Sequence, residues 1–176
     1  MYSKRLNGRL LGLTAASALF LAASSASHAG TQTANLSVTA TVAANCTITT
    51  APVAFGAYDP VVANATTPLD GTGTVTVTCT TGSATTITLG QGTNPATGST
   101  DAAPLRQMKD SGTDVLAYAL YQDNGRTTVW GNTAGTGVAD TGNGAAQNVT
   151  VYGAVAAGQN VPAASYSDTV VATVTF

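Results

Sequence analysis

The stretch NLSVTATVAAN, residues 35–45, decides the fold class because its apolar residues recur at every second position. The apolar series begins one residue earlier and comprises Ala34, Leu36, Val38, Ala40, Val42 and Ala44. A period of two is typical of a β-strand with one apolar face. The sequence therefore predicts a full strand over 34–44, and it raises the question of which strand this one pairs with.

Residues 1–29 have the features of an export signal. Lys4, Arg5 and Arg9 precede an apolar run at 10–23, and small residues stand at the end of the segment. The run is too short and too rich in Ala and Ser to predict a transmembrane helix, and no second candidate follows. We therefore predict a signal peptide over 1–29 and a mature chain of 147 residues, enough for one domain.

The predicted mature chain is acidic. Its basic residues are Arg106, Lys109 and Arg126, whereas all eight acidic residues are Asp and all remain, so its net charge is −5. Three scattered cations cannot neutralise many phosphates, which argues against nucleic-acid binding.

The residue types argue against catalysis and metal binding as well. The only histidine, His28, lies in the predicted signal peptide, and the chain contains no Glu. A Ser-His-Asp or Cys-His catalytic arrangement therefore lacks its histidine, and a zinc site lacks nitrogen ligands. Paired Asp residues could act as acid and base, and DTGNG (140–144) offers oxygen ligands for calcium without the spacing of a calcium loop. Scattered Asp residues are more often turn formers. We predict no catalytic, cofactor or metal site.

Two cysteines, Cys46 and Cys79, belong to a chain predicted to be exported. One disulfide between them is the simplest interpretation, and two free buried thiols are the alternative.

The rest of the chain reads as short strands separated by turn signals, with no convincing helix. Strand segments are predicted at 46–60 (broken by Pro52), 73–81, 84–92, 104–110, 115–123, 127–131, 148–159 and 166–176. The second and third of these are predicted to form a hairpin across Gly82-Ser83, and 91–103 and 132–146 are predicted loops. This pattern favours an all-β, immunoglobulin-like antiparallel β-sandwich.

The two ends of the predicted domain carry complementary patterns. The last stretch, YSDTVVATVTF, places one set of side chains in a single phase: Tyr166, Val170, Ala172, Val174 and Phe176. Strand 34–44 could complete its own sandwich, or it could add to the sheet of a neighbouring molecule. A third hypothesis is a small carbohydrate-binding module that uses Trp130 and loop Asp residues.

Several stretches resemble the spore coat protein U domain, the building block of Csu-type, or archaic, chaperone–usher pilins. They are Cys46 with FGAYDP (55–60), VTVTC (75–79), PLRQMKD (104–110), LAYALYQD (116–123), TVWGN (128–132) and VYGAVAAGQNVPAASYSDTVVATVTF (151–176). The resemblance covers residues 34–176, and the ending Y-x-D-T-V, followed by alternating residues up to an aromatic one, is its most specific part. The loops 91–103 and 132–146 match no family pattern.

The resemblance implies an immunoglobulin-like sandwich that lacks one strand. In that family a periplasmic chaperone supplies the strand first, and at an outer-membrane usher the N-terminal extension of the next subunit replaces it. Carried onto this sequence, residues 30–45 would be the donor-strand extension and 46–176 the pilin domain. Leu36, Val38, Ala40 and Val42 would be the donor side chains, and the single-phase set from Tyr166 to Phe176 would line the acceptor edge.

The resemblance also implies a setting. It predicts a non-enzymatic subunit of an extracellular surface pilus, with no cofactor, built from copies of this chain or related pilins and serving adhesion and biofilm formation. A self-complemented monomer, secreted or part of a spore coat, is the alternative.

Overall fold

The computed structural model describes residues 28–176, so the predicted signal peptide lies outside the described residues except for its last two positions. The chain divides into two units between Ala40 and Thr41. Within the first unit, the described residues 28–40 form no helix or strand and their side chains are exposed. No helix among residues 28–176 combines the length and the hydropathy needed to span a membrane.

The second unit, Thr41–Phe176, consists of β-strands and one 3-10 turn at Ala134–Thr136. The strands are β1 (Cys46–Ala51), β2 (Leu69–Cys79), β3 (Ala84–Leu89), β4 (Arg106–Lys109), β5 (Val115–Tyr121), β6 (Val138–Thr141), β7 (Ala146–Val155) and β8 (Ala172–Thr175). They form a five-stranded sheet in the order β1-β2-β7-β5-β4 and a three-stranded sheet in the order β6-β3-β8. The all-β, antiparallel sandwich predicted from the sequence is confirmed.

The core lies between the two sheets and follows the alternation in the sequence. Val75, Val77 and Cys79 of β2 and Leu116, Tyr118 and Leu120 of β5 all point inward and are buried. Each buried Val or Leu stabilises the fold by about 1.5–3 kcal/mol relative to exposure. Period-two patterning therefore specifies which face of each strand turns inward.

The predicted hairpin between 73–81 and 84–92 is wrong. The turn at Gly82 exists, with a φ of 82°, but β3 leaves the sheet of β2 and pairs with β6 and β8. The physical reason is that both edges of β2 are already occupied, by β1 on one side and β7 on the other. A local turn signal predicts a reversal of the chain but not the sheet to which the next strand belongs.

The predicted loop 132–146 is also wrong in part, because it contains the 3-10 turn and β6. Ile87 pairs with Val138 in the ladder of β3 and β6. A Cβ atom at Gly137 would lie 2.8 Å from the carbonyl oxygen of Ile87, so the approach of this segment to β3 requires glycine. Tertiary pairing outweighs a local composition that is typical of a loop.

The segment after β1 lies across the face of the larger sheet. Val53 and Phe55 are half-buried and pack on the core. A Cβ atom at Gly153 would lie 2.7 Å from the Phe55 ring and 2.8 Å from Val53, and one at Gly73 would lie 2.7 Å from Val53. Glycines on β2 and β7 therefore leave the room into which these side chains pack.

A disulfide joins Cys46 and Cys79, which stand opposite each other in the ladder of β1 and β2. Asn45, just before β1, is bonded to Thr80 through its backbone: its N–H donates to Thr80 Oγ1 (3.1 Å), and its carbonyl accepts bonds from the Thr80 N–H (3.0 Å) and hydroxyl (3.3 Å). The start of β1 is thus held both covalently and by hydrogen bonds.

Candidate functional site: an unpaired strand edge and its groove

Strand β8 is an edge strand of the smaller sheet. It pairs with β3 on one side, and the Gly90 N–H donates to the Val171 carbonyl at 2.8 Å. In an antiparallel ladder alternate residues direct their backbone groups to the same neighbour. The backbone groups of Thr173 and Thr175 therefore face β3, and those of Ala172 and Val174 point to the unpaired side of the sheet. This row of donors and acceptors is a template for another strand.

The side chains of the predicted acceptor set share one face. Tyr166, Val170, Ala172 and Val174 are half-buried and pack against the core, whereas Phe176 is 54% exposed. The residues between them, such as Thr169 and Val171, are exposed. The phase that the sequence predicted is the phase that faces the core.

A groove separates the segment 50–55 from the segment 166–172. Its first part is a cavity of about 440 Å³ whose apolar wall includes Val75, Val151, Leu89 and Leu120. A second cavity of about 770 Å³ continues it toward the loops 56–61 and 160–165. Four residues line both cavities, namely Val53, Phe55, Met108 and Tyr166. The two cavities therefore form one apolar groove beside the unpaired edge of β8.

A polar cluster in the groove was not predicted from the sequence. The Tyr118 hydroxyl donates to Asp168 at 2.7 Å, and the same carboxylate accepts bonds from the Thr93 N–H (2.8 Å) and hydroxyl (2.6 Å). Burial and, to a smaller extent, the hydrogen bond to Asp168 raise the pKa of Tyr118, so its hydroxyl stays protonated and acts as a donor at neutral pH. Asp168 therefore ties the segment leading into β8 to the interior strand β5 and to the loop after β3.

A buried cation lies beside the end of β3 in the same region. Arg106, 1% exposed, donates to the carbonyls of Leu89 (2.9 Å), Gly90 (2.8 Å) and Trp130 (2.7 Å). Burial lowers its pKa to about 10, so it remains charged at neutral pH. The sequence signal was weak, since Arg106 is one basic residue in a segment, PLRQMKD, that was predicted only as a short strand or edge segment.

The predicted donor residues Leu36, Val38, Ala40 and Val42 lie in 28–45, where no residue belongs to a strand. The three larger side chains are 87%, 85% and 82% exposed for Leu36, Val38 and Val42. A strand is defined by hydrogen bonds to a neighbouring strand, and alternation alone does not provide them. The strand at 34–44 therefore stays a prediction, and it requires a partner strand to which the segment can hydrogen-bond.

Other candidate groups have structural roles. Trp130 is fully buried and its indole N–H donates to the Ile87 carbonyl at 2.9 Å, so it cannot act as a platform for a sugar. Asp59 and Asp123 accept backbone N–H bonds within turns, which lowers the pKa of each. Among residues 28–176 no group of three or more His, Cys, Asp or Glu side chains is placed to hold a metal ion.

Comparison with known proteins gives a family and a fold. The family profile described as the spore coat protein U domain matches residues 32–173. Protein U of Myxococcus xanthus is 55% identical over 87 residues, which are 49% of this chain and 49% of Protein U. This chain thus matches about half the length of that relative.

A solved structure has the same fold. The crystal structure of the CsuC–CsuE chaperone–tip adhesion subunit pre-assembly complex, from archaic chaperone–usher Csu pili of Acinetobacter baumannii, contains a chain that superimposes with a TM-score of 0.54. The identity is 21%, and the match covers 77% of this chain and 40% of the solved one.

Proposed function

The chain belongs to the spore coat protein U domain family, and we propose that it is a structural subunit of a surface pilus that polymerises by donor-strand complementation. The single observation that carries this proposal is the unpaired edge of β8 beside an apolar groove. In this proposal the segment 34–44 of one copy adds to β8 of the next copy or of a related pilin.

The chemistry of the two surfaces supports the pairing. The groove offers apolar walls and a row of backbone groups from Ala172 and Val174, and the donor segment offers apolar side chains on one face. Burying Leu36, Val38 and Val42 would contribute on the order of 1.5–3 kcal/mol each, in addition to a ladder of backbone hydrogen bonds. Such a joint dissociates slowly, because the whole strand must leave at once.

The same edge accounts for the partners we propose. An unpaired edge next to an apolar groove is an aggregation hazard, so a chaperone that covers it before assembly would keep the subunit competent. The similarity to a chain of a chaperone–subunit complex supports this order of events. We propose a periplasmic chaperone first and an outer-membrane usher next, with a pilus outside the cell as the product, in adhesion and biofilm formation.

Head-to-tail addition uses two different surfaces of each copy. Such a heterologous contact is not self-complementary, so in this proposal repeated addition extends a filament rather than forming a two-fold dimer. The proposed role is structural, and we propose neither an enzymatic activity nor a cofactor.

Gel electrophoresis of unboiled material tests the proposal. The mature chain should give a ladder of SDS-resistant multimers that collapses to monomer on boiling, and a chain that starts at Cys46 should give none. A mature chain that runs as a soluble monomer, and unfolds when truncated at Cys46, would show instead that 34–44 completes its own sandwich.

A further inference from the structure

We propose a second contact between successive copies, which rests on the proposed function. In the copy that accepts the donor strand, the turn carrying Val61 and Val62 packs against the donor copy, at the end of its sandwich where Asn45 lies. We call the first surface the valine end, comprising Asp59–Asn64. The second is the disulfide end, comprising Asn45 and the turns 80–83 and 142–145. The partner is a second copy of this chain.

The first step of the argument is that no flexible linker follows the donor segment. The donor side chains extend to Val42, and Asn45 is already fixed to Thr80 by hydrogen bonds at 3.1 and 3.0 Å. The disulfide then holds Cys46. The three residues from Ala43 to Asn45 span about 10 Å when extended. The body of the donor copy therefore begins close to the point where its strand leaves the groove, and the two bodies must meet.

The second step identifies the ends that meet. Thr175 of β8 lies beside Thr86, near the start of β3 and its turn 80–83, whereas Ser167 lies beside Lys109 at the opposite end of the sandwich. All ladders in the described residues are antiparallel. An antiparallel donor strand, the more stable arrangement, enters beside Phe176 and leaves beside Tyr166. The disulfide end of the donor copy thus faces the loops 56–64 and 156–165 of the acceptor.

The valine end presents two apolar side chains on a rigid turn. Val61 is 78% exposed and Val62 is 77% exposed. The Asp59 carboxylate accepts the N–H bonds of Val61 (2.9 Å), Val62 (3.1 Å) and Ala63 (3.4 Å). The N–H of Asn64, which is itself buried, donates to the Asp59 carbonyl at 2.7 Å. Because this turn is already ordered, packing against it costs little further conformational entropy.

The turn is also attached to the loop that precedes β8. The Gly158 N–H donates to the Asn64 carbonyl at 2.8 Å. The Tyr58 hydroxyl donates to the Ala156 carbonyl (2.8 Å) and accepts the Gln159 N–H (2.9 Å). Val61 lines the groove that ends here, so the valine end is continuous with the surface on which the donor strand lies.

The disulfide end is a compact and uncharged surface. Its two turns are bonded to each other, with the Gly82 N–H donating to the Gly142 carbonyl (2.8 Å) and the Gly142 N–H to the Ser83 carbonyl (2.9 Å). Residues 80–83 and 142–145 include no charged side chain. Packing two valines against them requires no charge to be desolvated. The contact restricts rotation of one copy relative to the next, so the joint between them is stiff.

Disulfide crosslinking in assembled fibres tests the contact. Both native cysteines are paired with each other, so introduced cysteines react without a competing thiol. A chain with Val61→Cys and Thr81→Cys is assembled, oxidised mildly, then boiled in SDS without reductant. We expect a covalent ladder at least tenfold stronger than from the control pair Val61→Cys and Thr49→Cys, which places the second cysteine on exposed β1.

The outcomes separate this inference from the proposed function. Equal crosslinking of the two pairs, in fibres whose unboiled ladder is intact, overturns the end contact and leaves donor-strand assembly standing. A strong covalent dimer from Val61→Cys alone also overturns it, since the valine ends then meet each other. Absence of an unboiled ladder from the unmodified chain overturns both.

Discussion

The hydroxyl of Tyr118 donates a 2.7 Å hydrogen bond to the carboxylate of Asp168, and so joins an interior strand of the larger sheet to the segment that leads into β8. The two residues are 50 positions apart, and both line the groove. Phe55 packs edge-on against Tyr118, with ring centroids 6.0 Å apart. The edge of β8 is therefore positioned from within the core as well as by its ladder with β3.

Replacing Tyr118 by Phe tests this relationship. The change removes one hydrogen bond to a charged group and leaves the ring, so we expect a loss of about 1.5 kcal/mol in the free energy of unfolding. Urea unfolding of the chaperone-free chain measures it. Tyr121→Phe is the matched control, because that hydroxyl makes no hydrogen bond within the described residues, and a loss of equal size there would contradict the assignment.

Part of this arrangement could be predicted from the sequence. Alternation located most strands and gave the inward phase of Tyr166, Val170, Ala172 and Val174, since the period of a strand is a local property. The sheet to which β3 belongs could not be predicted, because it depends on which edges of β2 are taken. The hydrogen bond between Tyr118 and Asp168 could not be predicted for a related reason. In the sequence nothing distinguishes Asp168 from the other Asp residues, because only the folded sheets bring Tyr118 next to it.

The unpaired backbone row of β8 predicts opposite effects of proline at neighbouring positions. Ala172→Pro removes an N–H that points away from β3, so we expect stability within about 0.5–1 kcal/mol of the parent chain but a loss of SDS-resistant multimers. Thr173→Pro removes an N–H that faces β3 and should cost about 1–3 kcal/mol in folding. Thermal melting and unboiled gels of both variants separate the two effects. Equal losses of fold in both would contradict the deduced direction of the backbone groups.

Arg106 is predicted to be irreplaceable by lysine. Its guanidinium reaches three carbonyls in a planar fork, and an ammonium group cannot match that geometry, so a buried carbonyl is left without a donor. We expect Arg106→Lys to destabilise the fold by about 1–3 kcal/mol in denaturant unfolding. Arg126→Lys is the control. Arg126 donates to the Gly153 carbonyl (3.0 Å) and pairs with Asp70 (3.1 Å), but its side chain is partly exposed, so water can replace a lost bond and stability should change by less than about 1 kcal/mol.

Acid is predicted to loosen the valine end through Asp59. Backbone bonds from Val61, Val62 and Ala63 hold the pKa of Asp59 below its ordinary value. A lowered pKa in the folded state means that the stabilisation is present above the unfolded-state pKa and is lost as pH falls through the folded-state pKa. Asp59→Asn should therefore melt lower than the parent at pH 7, and the difference should vanish in strong acid. Asp114→Asn is the control, and a difference for Asp59→Asn that persists at low pH would exclude ionisation of Asp59 as its source.

The phase of the donor segment gives the sharpest test of strand exchange. If Leu36, Val38 and Val42 enter a neighbour's groove, then Val38→Asp places a carboxylate in an apolar cavity, which costs several kcal/mol unless the group is neutralised. Ser37→Asp, one residue away, places the same charge on the opposite face of the strand, where water remains. We expect Val38→Asp to reduce the unboiled ladder at least tenfold and Ser37→Asp to leave it within about twofold. Because a register shift by one residue exchanges the two faces, a reversed result would place the odd-numbered residues in the groove, and equal effects would mean that 34–44 does not pair as a strand at all.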